Sequence, residues 1–336
     1  MFSFAPGTVR RLSFLHEDIM TKTMRLRLVS GVIALMVGAV SVWGQGNPTS
    51  GGPVDPLLLE DLALSYRILT DHDVMDGLGH SSIRHPQNPN RYWISRNRAT
   101  GLVRPEDLME MDLDSRPVDP NARSYSEVAI HAEIYKLRPD VNAVIHHHAP
   151  GTVSWGMGKV PMMPMNQSSR WMLDGVPFFD YRNIRIEGDK GWEETNLIHT
   201  PARGQLVAQT LGASPALLLV NHGAVVVGSS IYEAAGRSIY MEVNTEVQTA
   251  AMLRGGEITY YDAAGELRAT GSRSDFARQW DLWKHDGCAK AGFCKPELAN
   301  REPAAGGGGR GGRGGRAGGG GGRGGGGGGR GGAPRD

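Results

Sequence analysis

Three consecutive histidines, His146-His147-His148, follow the apolar run Val141-Asn-Ala-Val-Ile145. On a β-strand successive side chains alternate faces, so His146 and His148 project the same way and His147 the opposite way. Two imidazoles at i and i+2 are set to share one metal ion, whereas a core would have to supply a polar partner for each of three adjacent rings. The competing reading is a structural or surface histidine run. A third histidine, His222, ends the apolar stretch Leu217-Leu-Leu-Val220, where the chain turns at Gly223. Strand ends are where open α/β sheets bind ligands, and three protein ligands with open positions make a catalytic rather than a closed structural site. Glu127 lies in Ser124-Tyr-Ser-Glu127, which reads either as an S-x-x-E capping box or as the site of an acid/base beside the metal. His131, one turn further on, either orients Glu127 or packs.

The elements that must hold these groups follow from periodicity and turn chemistry. Leu58, Leu62, Tyr66 and Leu69 recur at helical spacing behind Asp55-Pro56, a cap followed by proline in the first turn. Strand-like pieces at 81–84, 91–95 and 108–113 are separated by Gly, Pro and Asn turns. A helix is expected from near Ser124 to before Pro139, then a strand over 141–145 running into the histidines. After the Met- and Pro-rich loop 161–165, a strand is expected over 176–181 and a helix from Thr200-Pro201. Apolar strands at 216–220 and 224–228 flank Gly223, and a long helix covers about 231–253. This alternation predicts a single α/β domain with helices on both faces of the sheet, spanning 55–302.

Both ends differ from that body. Lys22, Arg25 and Arg27 precede the apolar run Leu28–Val40, and Gly44 offers a cleavage point ahead of Gln45. Residues 1–44 therefore read as a secretory signal, with Met20 or Met24 as alternative starts, and export to the periplasm or medium is expected. The apolar run is shorter than the ~20 residues a spanning helix needs, so no stable membrane span is expected after cleavage. Residues 45–54 read as a flexible linker, and 303–336, glycine with scattered arginine, as a disordered tail. The leader is +3 and the tail +5 in a chain of net +1, which leaves the body near −7. An acidic body and a tail without interleaved aromatics argue against a nucleic-acid partner. The two cysteines, Cys288 and Cys294, have the spacing of a small disulfide loop in an oxidising compartment.

Taken together, S-E-x(3)-H-x(2)-I-Y-x(2)-R-P-D-V-x-A-V-I-H-x-H, with N-H-G-x(4)-G some seventy residues later, resembles the signature of class II aldolases and their adducin relatives over roughly residues 55–265. The resemblance implies a three-layer α/β/α fold and a homotetramer of fourfold symmetry with active sites between subunits. It implies a divalent metal, usually zinc with manganese as an alternative, on His146, His148 and His222, with Glu127 as acid/base. Tyr260 and Tyr261 are candidates to reach a neighbouring site. Breaking a carbon–carbon bond beside a carbonyl leaves an enolate, which such a metal stabilises. Retro-aldol cleavage and decarboxylation share this requirement.

The segment Gly77-Leu-Gly-His-Ser-Ser-Ile-Arg-His-Pro86 bears on that choice. Sugar-phosphate members of the family show Gly-Asn-x-Ser here. In this chain His80 stands at the Asn position, with Ser82 and Arg84 beyond it, and Ser95-Arg-Asn-Arg98 replaces a small Ser/Thr-Gly step. The pattern resembles the decarboxylase-like branch, which acts on hydroxylated aromatic acids and carboxymuconate-semialdehyde-type compounds. The expected substrate is thus a small carboxylated molecule contacted by His80, Ser82, Arg84, Ser95 and Arg96. Arg84 or Arg96 would anchor its carboxylate, because a guanidinium fork matches that group; the alternative is that both form surface ion pairs. A non-catalytic, adducin-like scaffold is the reading from another class.

Overall fold

A computed structural model describes residues 48–191, 194–261 and 276–294. Helix α1 (Pro56–Asp71) begins as expected, with the Asp55 carboxylate accepting from the Leu57 N–H. Strands β1 (His80–Arg84), β2 (Arg91–Ser95) and β3 (Leu108–Asp112) follow, then α2 (Val128–Leu137), β4 (Ala143–His147) and α3 (Pro150–Gly156). The chain continues through β5 (Phe178–Phe179), α4 (Pro201–Leu211), β6 (Ala216–Leu219), β7 (Gly223–Gly228), α5 (Ile231–Arg254) and α6 (Ala277–Ala291). Seven strands form one sheet in the order β3-β2-β1-β4-β7-β6-β5, antiparallel throughout except for the β5–β6 pair.

Alternation along the strands sorts the core into two sides. Val144 of β4, with Tyr92, Ile94, Leu217, Leu219, Val225 and Val227, packs beneath α2 and α4. Ala143 and Ile145 face the other way with Ile83, against α1, α5 and α6. This is the three-layer α/β/α arrangement. The central strands have helices on both sides, which explains why β6 and β7 read as unbroken apolar runs in a largely antiparallel sheet. Helices α2 and α4 approach closely at Gly204, where an added Cβ would lie 2.5 Å from the Ala129 carbonyl oxygen.

Several expectations are corrected. Helix α2 starts at Val128, four residues late, because Ser124 donates its hydroxyl to the Ser95 carbonyl instead of capping. The strand expected over 176–181 shrinks to two residues. Within the supposed linker, the Ser50 hydroxyl and the Gly51 N–H both donate to the Glu110 carboxylate, and Arg91 donates to the Thr49 carbonyl. That part of 45–54 is therefore a strap on the β2–β3 edge of the sheet, not a free linker. Helix α6 had no counterpart in the sequence reading. It buries Trp280 and Trp283 against α1 and closes a Cys288–Cys294 disulfide at its end. Among the described residues no helix is long and apolar enough to cross a membrane. The leader 1–44 and the tail 303–336 lie outside the described residues.

Candidate metal centre

His146 points to the α2/α4 side of the sheet, opposite Val225 of β7 in the register, and His148 follows just beyond the end of β4. His222 arrives from the β6–β7 turn. There Asn221 takes φ +56°, a left-handed conformation that asparagine tolerates better than most residues, and the His222 N–H closes back on the Leu219 carbonyl. The next residue must be small, since a side-chain carbon at Gly223 would collide with the His147 carbonyl. Glu127 sits at the N-cap position of α2 without using its side chain as a cap. One carboxylate oxygen, Oε1, accepts instead from the Ile198 N–H at 2.7 Å, in the loop leading to α4.

The four groups converge. His146 Nε2 and His222 Nε2 each lie 3.4 Å from Glu127 Oε2, and His148 Nε2 lies 3.0 Å from His146 Nε2. All four ligand atoms fall within 4.8 Å of one another. Three features fit this set to a divalent cation. The His146 Nδ1–H donates to the Ala224 carbonyl at 2.9 Å, which leaves the Nε2 lone pair facing the cluster. Among the described residues His222 Nε2 is buried with no hydrogen bond, only the 3.4 Å approach of Glu127, a costly arrangement unless something else takes its lone pair. Three imidazoles and one carboxylate are the donor set of a borderline-soft divalent metal. Burial, and then the His146 and His222 rings, push the His148 imidazole down to about 3, so the ring is neutral at physiological pH, as a metal ligand must be. Burial alone would raise the Glu127 carboxyl, but His146 and His222 reverse that and hold it below the usual carboxylate range.

The remaining site residues divide sharply. His80 pairs with His146 across β1–β4, and their rings lie 5.0 Å apart. Behind it, His80 Nδ1 meets His131 Nε2 at 2.6 Å, His131 Nδ1 meets Ser82 Oγ at 2.6 Å, and Ser82 Oγ meets the Tyr135 hydroxyl at 2.8 Å. Thus Ser82 backs the site and His131 serves His80. Arg84 is corrected: its guanidinium donates to the Val141, Pro89, Tyr135 and Arg138 carbonyls and stacks on the Tyr135 ring. Those bonds use four of the five N–H groups and hold the guanidinium at the far end of β1, away from the cluster, so Arg84 is not a carboxylate anchor. Arg96 is half exposed and paired with Asp107 at 2.7 Å, while the buried Ser95 donates to the Arg96 carbonyl. Ser95 lies next to the β1 end that carries His80, yet the structure does not bring it or Arg96 into the cluster. Tyr125, missed in the sequence, lies 4.9 Å from the His80 ring. A cavity of about 700 Å³, lined by Arg138, Trp171, Glu233 and Arg237 among others, sits at the opposite ends of β4 and β7 and has no part in this centre.

The sequence profile of the Class II Aldolase and Adducin N-terminal domain matches residues 60–249. The chain belongs to this family. Among its relatives, Decarboxylase tropJ of Talaromyces stipitatus is 31% identical over 238 residues, 64% of this chain and 88% of the relative. The 3,4-dihydroxyphthalate decarboxylase of Arthrobacter keyseri is 24% identical, covering 59% of this chain and 80% of the relative. In fold the chain is similar to L-fuculose 1-phosphate aldolase from Glaciozyma antarctica, with a TM-score of 0.58, 21% identity and coverage of 72% and 96%. The family thus includes decarboxylases similar in sequence and aldolases similar in fold, and the His/Glu cluster stands where this chain can hold a divalent metal.

Proposed function

We propose that this family member is a metal-dependent carbon–carbon lyase that decarboxylates a small hydroxylated or oxo carboxylic acid, of the aromatic-acid or carboxymuconate-semialdehyde type. The observation that carries the reading is the convergence of three histidine Nε2 atoms and Glu127 Oε2, with His222 Nε2 making no hydrogen bond among the described residues. A divalent metal held there, zinc by donor preference, supplies Lewis-acid stabilisation of the enolate charge left when the carbon–carbon bond breaks. Glu127 keeps Oε1 on the Ile198 N–H and presents Oε2 to the cluster, a geometry suited to moving one proton. His146 is held in a single tautomer by the Ala224 carbonyl. Similarity to two decarboxylases favours loss of CO2 over retro-aldol cleavage, and the complete donor set speaks against a non-catalytic scaffold. Arg96 remains the candidate for the substrate carboxylate, by exchange with Asp107.

The same proposal places the enzyme outside the cytoplasm, supported by the apolar run after Lys22, Arg25 and Arg27 and by the Cys288–Cys294 bridge, and makes it a homotetramer. The test is metal content of the purified chain beside CO2 release from a panel of hydroxylated aromatic acids. About one ion per chain with CO2 release supports the reading. A chain that takes up neither zinc nor manganese, or that releases an aldehyde and no CO2, rejects it.

A further inference from the structure

Behind the metal centre, four buried groups form an unbranched chain: His80, His131, Ser82 and Tyr135, at 3%, 0%, 0% and 2% exposure. It contains three hydrogen bonds, at 2.6, 2.6 and 2.8 Å. Both rings are buried and hydrogen-bonded to neutral groups, with no carboxylate bonded to either among the described residues, so each is neutral and carries one N–H. Two N–H and two O–H hydrogens then serve three bonds, and one hydrogen is left over.

Three arrangements satisfy all three bonds, and in the third Ser82 accepts from both His131 and Tyr135, which strands the buried Ser82 O–H. In the first, every group donates towards Tyr135, and the phenol hydrogen is left over. The phenol is buried, burial pushes its pKa up so that it keeps its proton, and among the described residues its hydroxyl hydrogen has no acceptor but Ser82 Oγ, the Val144 backbone adding only a donor. That arrangement strands a buried O–H. In the second, Tyr135 donates to Ser82, Ser82 to His131 Nδ1, and His131 Nε2–H to His80 Nδ1. The extra hydrogen then sits on His80 Nε2, which makes no hydrogen bond to a described residue and belongs to the ring beside His146. The geometry points to His131, Ser82 and Tyr135 as positioning residues that lock His80 in the Nε2–H tautomer, a neutral hydrogen-bond donor to an anionic substrate oxygen next to the metal centre.

The lock explains why this branch can have an imidazole where phosphate-binding members have an amide. A neutral histidine without a fixed partner could present either a donor or a lone pair, whereas the chain removes the choice without adding charge. It favours a substrate with a carboxylate or enolate oxygen at that point and disfavours a donor group there. This part rests on the lyase reading; the tautomer itself does not.

The test is long-range ¹H–¹⁵N correlation on the full chain, ¹⁵N-labelled at histidine and stripped of metal, with His80 assigned by its loss in His80→Asn. The expected result is an Nε2–H ring favoured over the other tautomer by roughly tenfold or more, the ratio set by stranding one buried hydroxyl. Ser82→Ala should relax that preference towards equal populations, since His131 then has one unsatisfied nitrogen in either tautomer. A wild-type His80 in the Nδ1–H form overturns the lock, and so does a preference unchanged in Ser82→Ala. Because the reading is taken without metal or turnover, an Nε2–H ring in a chain that never binds metal would refute the lyase assignment and leave the lock standing.

Discussion

Two groups of polar side chains share the α2/α4 side of the sheet, a few ångströms apart, and they handle their hydrogen-bonding capacity in opposite ways. In the cluster of Glu127, His146, His148 and His222, ligand atoms crowd together, and among the described residues His222 Nε2 makes no hydrogen bond beyond its 3.4 Å approach to Glu127. In the chain from His80 to Tyr135, every internal atom is matched. Buried polar groups are normally satisfied, so the first arrangement is built around something the side chains do not provide, and the second is built to hold still. The contrast distinguishes ligands from supports more reliably than residue type, since both groups are rich in histidine.

The largest expected effect comes from the crowded group. His148→Ala should take metal from about one ion per chain to none and abolish lyase activity, as read by elemental analysis and CO2 release; retained metal would break the contrast. Glu127→Gln should keep the metal but lower kcat by about 10²–10⁴-fold, the usual size of a lost acid/base. A variant that instead loses its metal would recast Glu127 as a ligand only. Arg84→Ala should remove a donor from four carbonyls, two of them in buried bonds, and cost roughly 2–4 kcal/mol of stability by denaturant titration, with KM unchanged. A raised KM at unchanged stability would restore it as a substrate anchor. The smallest effect is that of Arg96→Ala, under about 1 kcal/mol in stability because its ion pair with Asp107 is half exposed. A severalfold rise in KM there would show that the guanidinium leaves Asp107 for substrate.

Much of the metal centre was legible in the residues, because strand alternation is local: His146 and His148 share a face whatever surrounds β4. The capping reading of Ser124 and Glu127 failed because two distant groups compete for them. The Ser95 carbonyl takes the Ser124 hydroxyl, and Ile198 with the histidines takes the Glu127 carboxylate. Helix α6 escaped notice because its buried residues, Trp280, Trp283, Lys284 and Gly287, are set among exposed charges and include a lysine that reaches Asp61 on α1. A weak apolar stripe of that kind is recognised only once its partner helix is known.

The sequence by itself determined the element types other than helices α3 and α6, the pairing of His146 with His148, and the membership that the combined motifs announce, since each depends on spacing along a few residues or on a pattern carried by the chain. The meeting of His222 with the pair was already implied by the motifs. Tertiary structure alone decided that His131 serves His80 and not Glu127, and that Arg84 spends its donors on carbonyls from three separate segments. Those outcomes depend on which strand lies beside which and on where α2 packs. Hydrogen bonds form between groups that folding brings within about 3 Å, at separations such as the 71 residues between Glu127 and Ile198, which no local pattern encodes.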